Sequence, residues 1–129
     1  MTQAVSPFTL DVTDHDEPYL VEGDRSYGRA HYEKTFSGDL EATSSVEMLF
    51  ATGTGGAAYV AIETLRGTLA GRTGTFALLH AGTMQDEDVW ARWTIVPGSG
   101  TGELAGISGE ARIDIAPDGA HTMFLDYEL

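Results

Sequence analysis

Glu63 and His80 lie in two neighbouring, mostly apolar runs, AAYVAIETLRGTL (57–69) and TGTFALLHAG (73–82). In an extended chain alternate residues share a face. Glu63 shares its face with Tyr59, Ala61 and Leu65, and His80 with Phe76 and Leu78, so both are expected to point inward. A two-residue hairpin tip at Gly71-Arg72 pairs Ala70 with Thr73 and sets Glu63 opposite His80, whereas a three-residue tip sets Ile62 there. A carboxylate beside an imidazole is a general acid/base pair in which the carboxylate raises the imidazole pKa. Enclosed in a core, the same two groups are equally a satisfied polar network.

Around this catalytic pair the candidate substrate-binding residues are Glu47, Tyr59, Phe76, Trp93, Ser99 and Thr101. Glu47 sits on the polar face of its strand, and the aromatic residues either shape an apolar pocket or fill a core. Trp90 and Trp93 have opposite parity, so only one of them points inward. Ser99 and Thr101 either line a cavity mouth or hydrogen-bond their own turn. Arg66 and Arg92 are candidates for holding an anion, with pairing to the abundant carboxylates as the alternative.

Other chemistries lose support residue by residue. No cysteine is present, which removes thiolate ligands, disulfides and cysteine nucleophiles. His15 lies between Asp14 and Asp16 beside Pro18 without a spacing that fixes metal geometry, and His31 and His121 lack co-ligands, so neither metal nor cofactor is expected. Ser44, Ser45 and Ser99 stand outside any nucleophile elbow. The stretch VPGSGTGELAGISG (96–109) fails as a dinucleotide fingerprint, because from Gly98 and Gly100 the third glycine position falls on Glu103. From Gly100 and Gly102 it falls on Ala105, and the segment that follows is strand-like. It fails as a P-loop because the sole lysine is Lys34. Its glycines are expected to bend strands or form bulges that help close a barrel.

The elements that must position these residues are strands. Leu40, Ala42, Ser44, Val46, Met48 and Phe50 alternate with Asp39, Glu41, Thr43, Ser45 and Glu47, the mark of a strand with one wet face. Comparable runs are expected at Phe8–Val12, Ser26–Phe36, Ala57–Leu69, Thr73–Gly82, Val89–Val96, Glu103–Ile107, Ala111–Ile115 and His121–Leu129, joined by glycine-bearing turns. No window keeps a helical apolar stripe. The expected fold is all-β: a single antiparallel β-barrel of about eight strands, closure removing the costly open edges, with a sandwich as the alternative.

At 129 residues the chain is the size of one domain, with residues 1–6 the expected disordered part. Seven Lys+Arg against 20 Asp+Glu give a net charge of −13, which repels nucleic acid and anionic lipid. MTQAVSPFTL shows no basic region followed by an apolar run, and no 18 apolar residues occur together, so a soluble, cytoplasmic protein is the expectation. Apolar residues at the outward positions Val60, Ile62 and Leu79 suggest a homo-oligomer.

Several strings resemble a known family. They are Gly98-Ser99-Gly100-Thr101-Gly102-Glu103-Leu104-Ala105-Gly106, Gly71-Arg72-Thr73-Gly74-Thr75-Phe76 with His80 following, Phe36-Ser37-Gly38-Asp39-Leu40-Glu41, Tyr59-Val60-Ala61-Ile62-Glu63 and Asp126-Tyr127-Glu128-Leu129. Together, from about Phe8 to the end of the chain, they look like the DUF3224 family of small bacterial proteins. The resemblance implies an allene oxide cyclase-like fold, an eight-stranded antiparallel barrel with a cavity along its axis. That superfamily includes cofactor-free cyclases, but a shared fold transfers no reaction, and no cyclase motif is present to carry over. The functional expectation is a small-molecule-binding barrel, acting as a cofactor-independent isomerase or cyclase on an apolar substrate. Its alternative is a non-catalytic binding or assembly protein with a side-chain-filled barrel.

Overall fold

The computed structural model covers residues 1–129. Nine strands, β1 (Thr2–His15), β2 (Leu20–Glu22), β3 (Arg25–Phe36), β4 (Leu40–Thr52), β5 (Ala57–Leu69), β6 (Arg72–Gln85), β7 (Asp88–Ile95), β8 (Ser108–Ile115) and β9 (His121–Glu128), follow one another in the chain. They pair antiparallel in the order β1-β9-β8-β7-β6-β5-β4-β3-β2, and β1 pairs with β3 as well. Eight strands thus close a barrel, with β2 a short extra strand outside it. Closure gives each of the eight strands two neighbours, although β7 and β8 share only the pairs Trp93↔Ala111 and Thr94↔Glu110. The alternation is physical: along β4, Leu40, Ala42, Ser44 and Val46 are buried and the intervening residues are not.

The barrel departs from the sequence expectation in four places. Residues 2–6 form the first part of β1, paired with β9 from Thr2↔Tyr127 to Ser6↔Met123, and Ala4 and Ser6 are buried. His15 ends the same strand, and its ring meets Tyr32 and Phe50 edge-on. The β5–β6 tip is Ala70-Gly71, with φ of 48° and 83°, so Leu69 pairs with Arg72. Two successive positive φ values match the twist of a tight hairpin. That moves the register by two residues from the Gly71-Arg72 expectation, opposing Glu63 to Leu78 and His80 to Ala61. An even shift keeps every side chain on its face.

The fourth departure is the glycine-rich stretch. Glu103–Ile107 is not a strand: a 3-10 turn at Gly102–Leu104 carries Leu104 and Ile107 into one end of the barrel as a plug. β7 stops at Ile95, which leaves the edge of β6 beyond Leu78 without a partner strand. The following residues replace it. Ser99 Oγ accepts from Ala77 N (3.0 Å), Thr101 Oγ1 from Thr75 N (3.1 Å) and Glu103 Oε1 from Thr73 N (3.1 Å), so three successive edge amides are satisfied by alternate side chains. Backbone bonds from Val96 N to Ala77 O and from Thr101 N to Thr75 O complete the seam. Gly74 permits the approach, since a Cβ there would lie 2.0 Å from the Thr101 carbonyl oxygen. Leu104 and Ile107 join Phe36, Leu40, Leu69 and Phe76 in a continuous apolar core at this end.

Candidate functional site

The barrel interior has two polar or open zones. Across its middle run four buried polar side chains, one from each of four consecutive strands: Lys34, Ser44, Glu63 and His80. Glu63 is their hub. Its Oε1 accepts from Lys34 Nζ at 3.2 Å and lies 2.8 Å from His80 Nε2, and its Oε2 accepts from Ser44 Oγ at 2.6 Å. In register Lys34 faces Ser44 and Ser44 faces Leu65, while His80 faces Ala61, so Glu63 reaches both its neighbours diagonally across the tilted strands. The Lys34 ammonium also sits 4.7 Å from the Phe8 ring centroid. The His80 ring meets Trp93 edge-on at 5.6 Å. His80 Nε2 touches the carboxylate off the line of a ring N–H, so no linear hydrogen bond forms, and Trp93 Nε1 is also unpartnered.

Burial pushes the Glu63 carboxyl up, but His80, Lys34 and Ser44 together outweigh it and hold it below the ordinary glutamate value. Burial pulls the His80 imidazole down, with Lys34 adding to the effect, against the opposing pull of Glu63. The expected rise of the histidine pKa is therefore reversed: the pair is a carboxylate against a neutral imidazole. Such a pair has the protonation states of a base, enclosed in a layer sealed from water.

The open zone is at the end opposite the plug. A cavity of about 320 Å³ there is lined mainly by Tyr32, Phe50, Tyr59, Met84 and Trp90, with His15, Thr52 and Thr83 as polar groups. Its aromatic walls rest on glycines: Phe50 is paired with Gly28 and Tyr59 with Gly82, and a Cβ at either glycine would run into the ring, 2.7 and 2.5 Å away. Burial raises the Tyr59 phenol pKa, so it stays protonated at neutral pH. None of Lys34, Ser44, Glu63 and His80 lines this cavity. Tyr32 and Met48 do, and in register they occupy the same cross-strand rows as Glu63 and His80.

The sequence candidates scatter accordingly. Glu63 and His80 come together, and Tyr59 walls the cavity. Phe76 is core, and Trp93 points inward beside His80 without lining the cavity, while Trp90 lines it. Glu47 is on the outer surface, where its Oε1 lies 2.7 Å from His31 Nδ1. Ser99 and Thr101 bind the β6 edge. Arg92 pairs with Glu110 at 3.2 Å, while Arg66 lines an outer polar depression of about 570 Å³ that also holds Asp11 and Glu33. Lys34 and Ser44 were missed as partners of Glu63, although both stand on inward parity. His15, Tyr32, Phe50 and Met84 were missed as cavity residues; their signal is a cluster of aromatic and methionine side chains at strand ends meeting at one mouth.

The model of the family described as "Protein of unknown function (DUF3224)" matches residues 4–127. The chain belongs to the DUF3224 family. A crystal structure of a protein of unknown function from this family, from Shewanella oneidensis MR-1, is 38% identical with a TM-score of 0.91, covering 100% of this chain and 98% of that one. A search of curated proteins returned no match. The family expectation from the quoted strings thus holds, as does the eight-stranded barrel. No helix is long and apolar enough to cross a membrane.

Proposed function

We propose that this chain binds a compact apolar molecule in the open mouth of the barrel. The observation that carries this reading is the 320 Å³ cavity, walled by aromatic and methionine side chains with few polar groups, in a barrel otherwise filled by its own residues. Its volume falls at the small end of ligand pockets, about 300–1,000 Å³, and its composition is theirs. His15, Thr52 and the hydroxyl-bearing Tyr32 and Tyr59 are the groups available to orient a ligand.

A cofactor-independent isomerase or cyclase is the second reading. It is favoured by the ionised Glu63 beside a neutral His80, and requires the ligand to move Tyr32 or Met48 aside to reach them. The test of binding is titration with the neutral probe N-phenyl-1-naphthylamine, followed by its emission and by Trp90 quenching, alongside native mass spectrometry for a co-purifying molecule. Saturable one-to-one binding that weakens at least tenfold in Ala91→Trp, which fills the mouth, supports the reading. No saturable binding, or binding that Ala91→Trp leaves unchanged, overturns it. Once a bound molecule is known, its conversion by wild type and not by Glu63→Gln or His80→Ala supports the catalytic reading.

A further inference from the structure

The outward positions of β5 and β6, from Ala58 to Thr68 and from Thr73 to Thr83, carry no carboxylate, although the chain has 20 Asp+Glu. At the centre of this face four large apolar side chains are exposed by 41–46%: Leu49 of β4, Val60 and Ile62 of β5, and Leu79 of β6. They adjoin one another, because Leu49 pairs with Val60 and Ile62 with Leu79. Opposite charges stand at opposite edges. Glu47, beside His31, pairs in register with Ile62 on the β4 side, and Arg92, beside Glu110, pairs with Ala81 on the β7 side.

We infer that this face is where two copies of the chain meet. A copy carrying −13 is repelled by most of the surface of another, and the acid-free face is where the repulsion is weakest. The rim is also self-complementary. A two-fold axis lying in the interface and passing between the central apolar side chains brings Glu47 of each copy to Arg92 of the other, the isologous pattern of symmetric dimers. Burying Val60, Ile62 and Leu79, together with Leu49, removes adjoining exposed apolar side chains from water. This inference is independent of what the mouth binds.

Sedimentation equilibrium of the full chain from about 1 to 100 µM, the range in which modest interfaces form, is the test. The expected result is twice the chain mass for wild type and the single-chain mass for Ile62→Glu and Leu79→Glu, with unchanged far-UV circular dichroism. Glu47→Arg and Arg92→Glu each weaken association at least tenfold, and the double swap restores it. A wild-type monomer throughout the range overturns the inference and leaves the face to a different partner. A dimer that survives Ile62→Glu overturns it by showing that copies meet elsewhere, and a double swap that stays weak overturns the two-fold arrangement.

Discussion

The two ends of the barrel are built from the same strands and closed in opposite ways. At one end the chain between β7 and β8 folds back, seats Leu104 and Ile107 in the core and satisfies the β6 edge with Ser99, Thr101 and Glu103. At the other, Phe50 and Tyr59 lie back on glycines and leave space between them. Between the two lies the Lys34–Ser44–Glu63–His80 layer. The difference separates two tasks that often compete. One end supplies packing, the other supplies a vacancy, and a buried polar layer divides them.

The largest expected effect breaks the divide itself. Glu63→Ala leaves the Lys34 ammonium buried without its carboxylate and lowers stability by about 3–5 kcal/mol, measured by urea unfolding. Leu104→Ala, at the plug, is expected to cost about 2–5 kcal/mol while leaving probe binding at the mouth unchanged. A coupled loss of binding would show that the two ends are not independent. Thr101→Ala removes a cap from a partly exposed amide and is expected to cost at most about 1 kcal/mol. At the mouth, Gly82→Ala drives its new methyl against the Tyr59 ring and should weaken probe binding several-fold, with little change in the urea midpoint.

The smallest effect is a pH dependence with a definite sign. His80 has a folded-state pKa below its unfolded value near 6.5, so the unfolded chain binds the proton more readily. Its contribution is complete above about pH 6.5 and is lost as the pH falls toward the folded value. Glu63, also depressed, adds a further loss below its unfolded value near 4.5. His31 outside the barrel shifts upward through Glu33 and Glu47, so its contribution is present below about 6.5 and fades above it. Stability measured from pH 8 to 5 should therefore fall more steeply in His31→Gln than in wild type, and less steeply in His80→Gln. The reverse order would refute the assignment of the neutral imidazole to the interior.

Much of this contrast was legible in the residues. A period of two places Glu63, His80, Leu65 and Phe76 on the inward face, because a strand offers only two directions. The register was less legible: Ala70 takes a positive φ that its residue type does not advertise, and a two-residue slide leaves the faces unchanged. Lys34 was overlooked because lysine is seldom buried, and only the geometry shows the carboxylate and the two rings that hold it. The plug was misread as a strand because Glu103–Ile107 is a short run bounded by turn residues, although its two large apolar residues, Leu104 and Ile107, stand three apart and have opposite strand parity. What places it against β6 is the unpaired edge of that strand, a feature of topology and not of the local sequence.

The pairing of β1 with β9 sets the order in which the molecule can be made. The domain's first and last strands are neighbours, with Thr2 opposite Tyr127 and the amino group of Met1 4.0 Å from Glu128. During synthesis the sheet from β3 to β7 can assemble as successive hairpins, yet β1 keeps one edge open until β9 has left the ribosome. Ring closure is thus a late, long-range step, of the kind that slows folding. Joining the two strand ends by a short linker and cutting at Ala70-Gly71 would turn that step into a local hairpin. The permuted chain should reach the same barrel by a different route, with its slowest event moved to the β5–β6 seam.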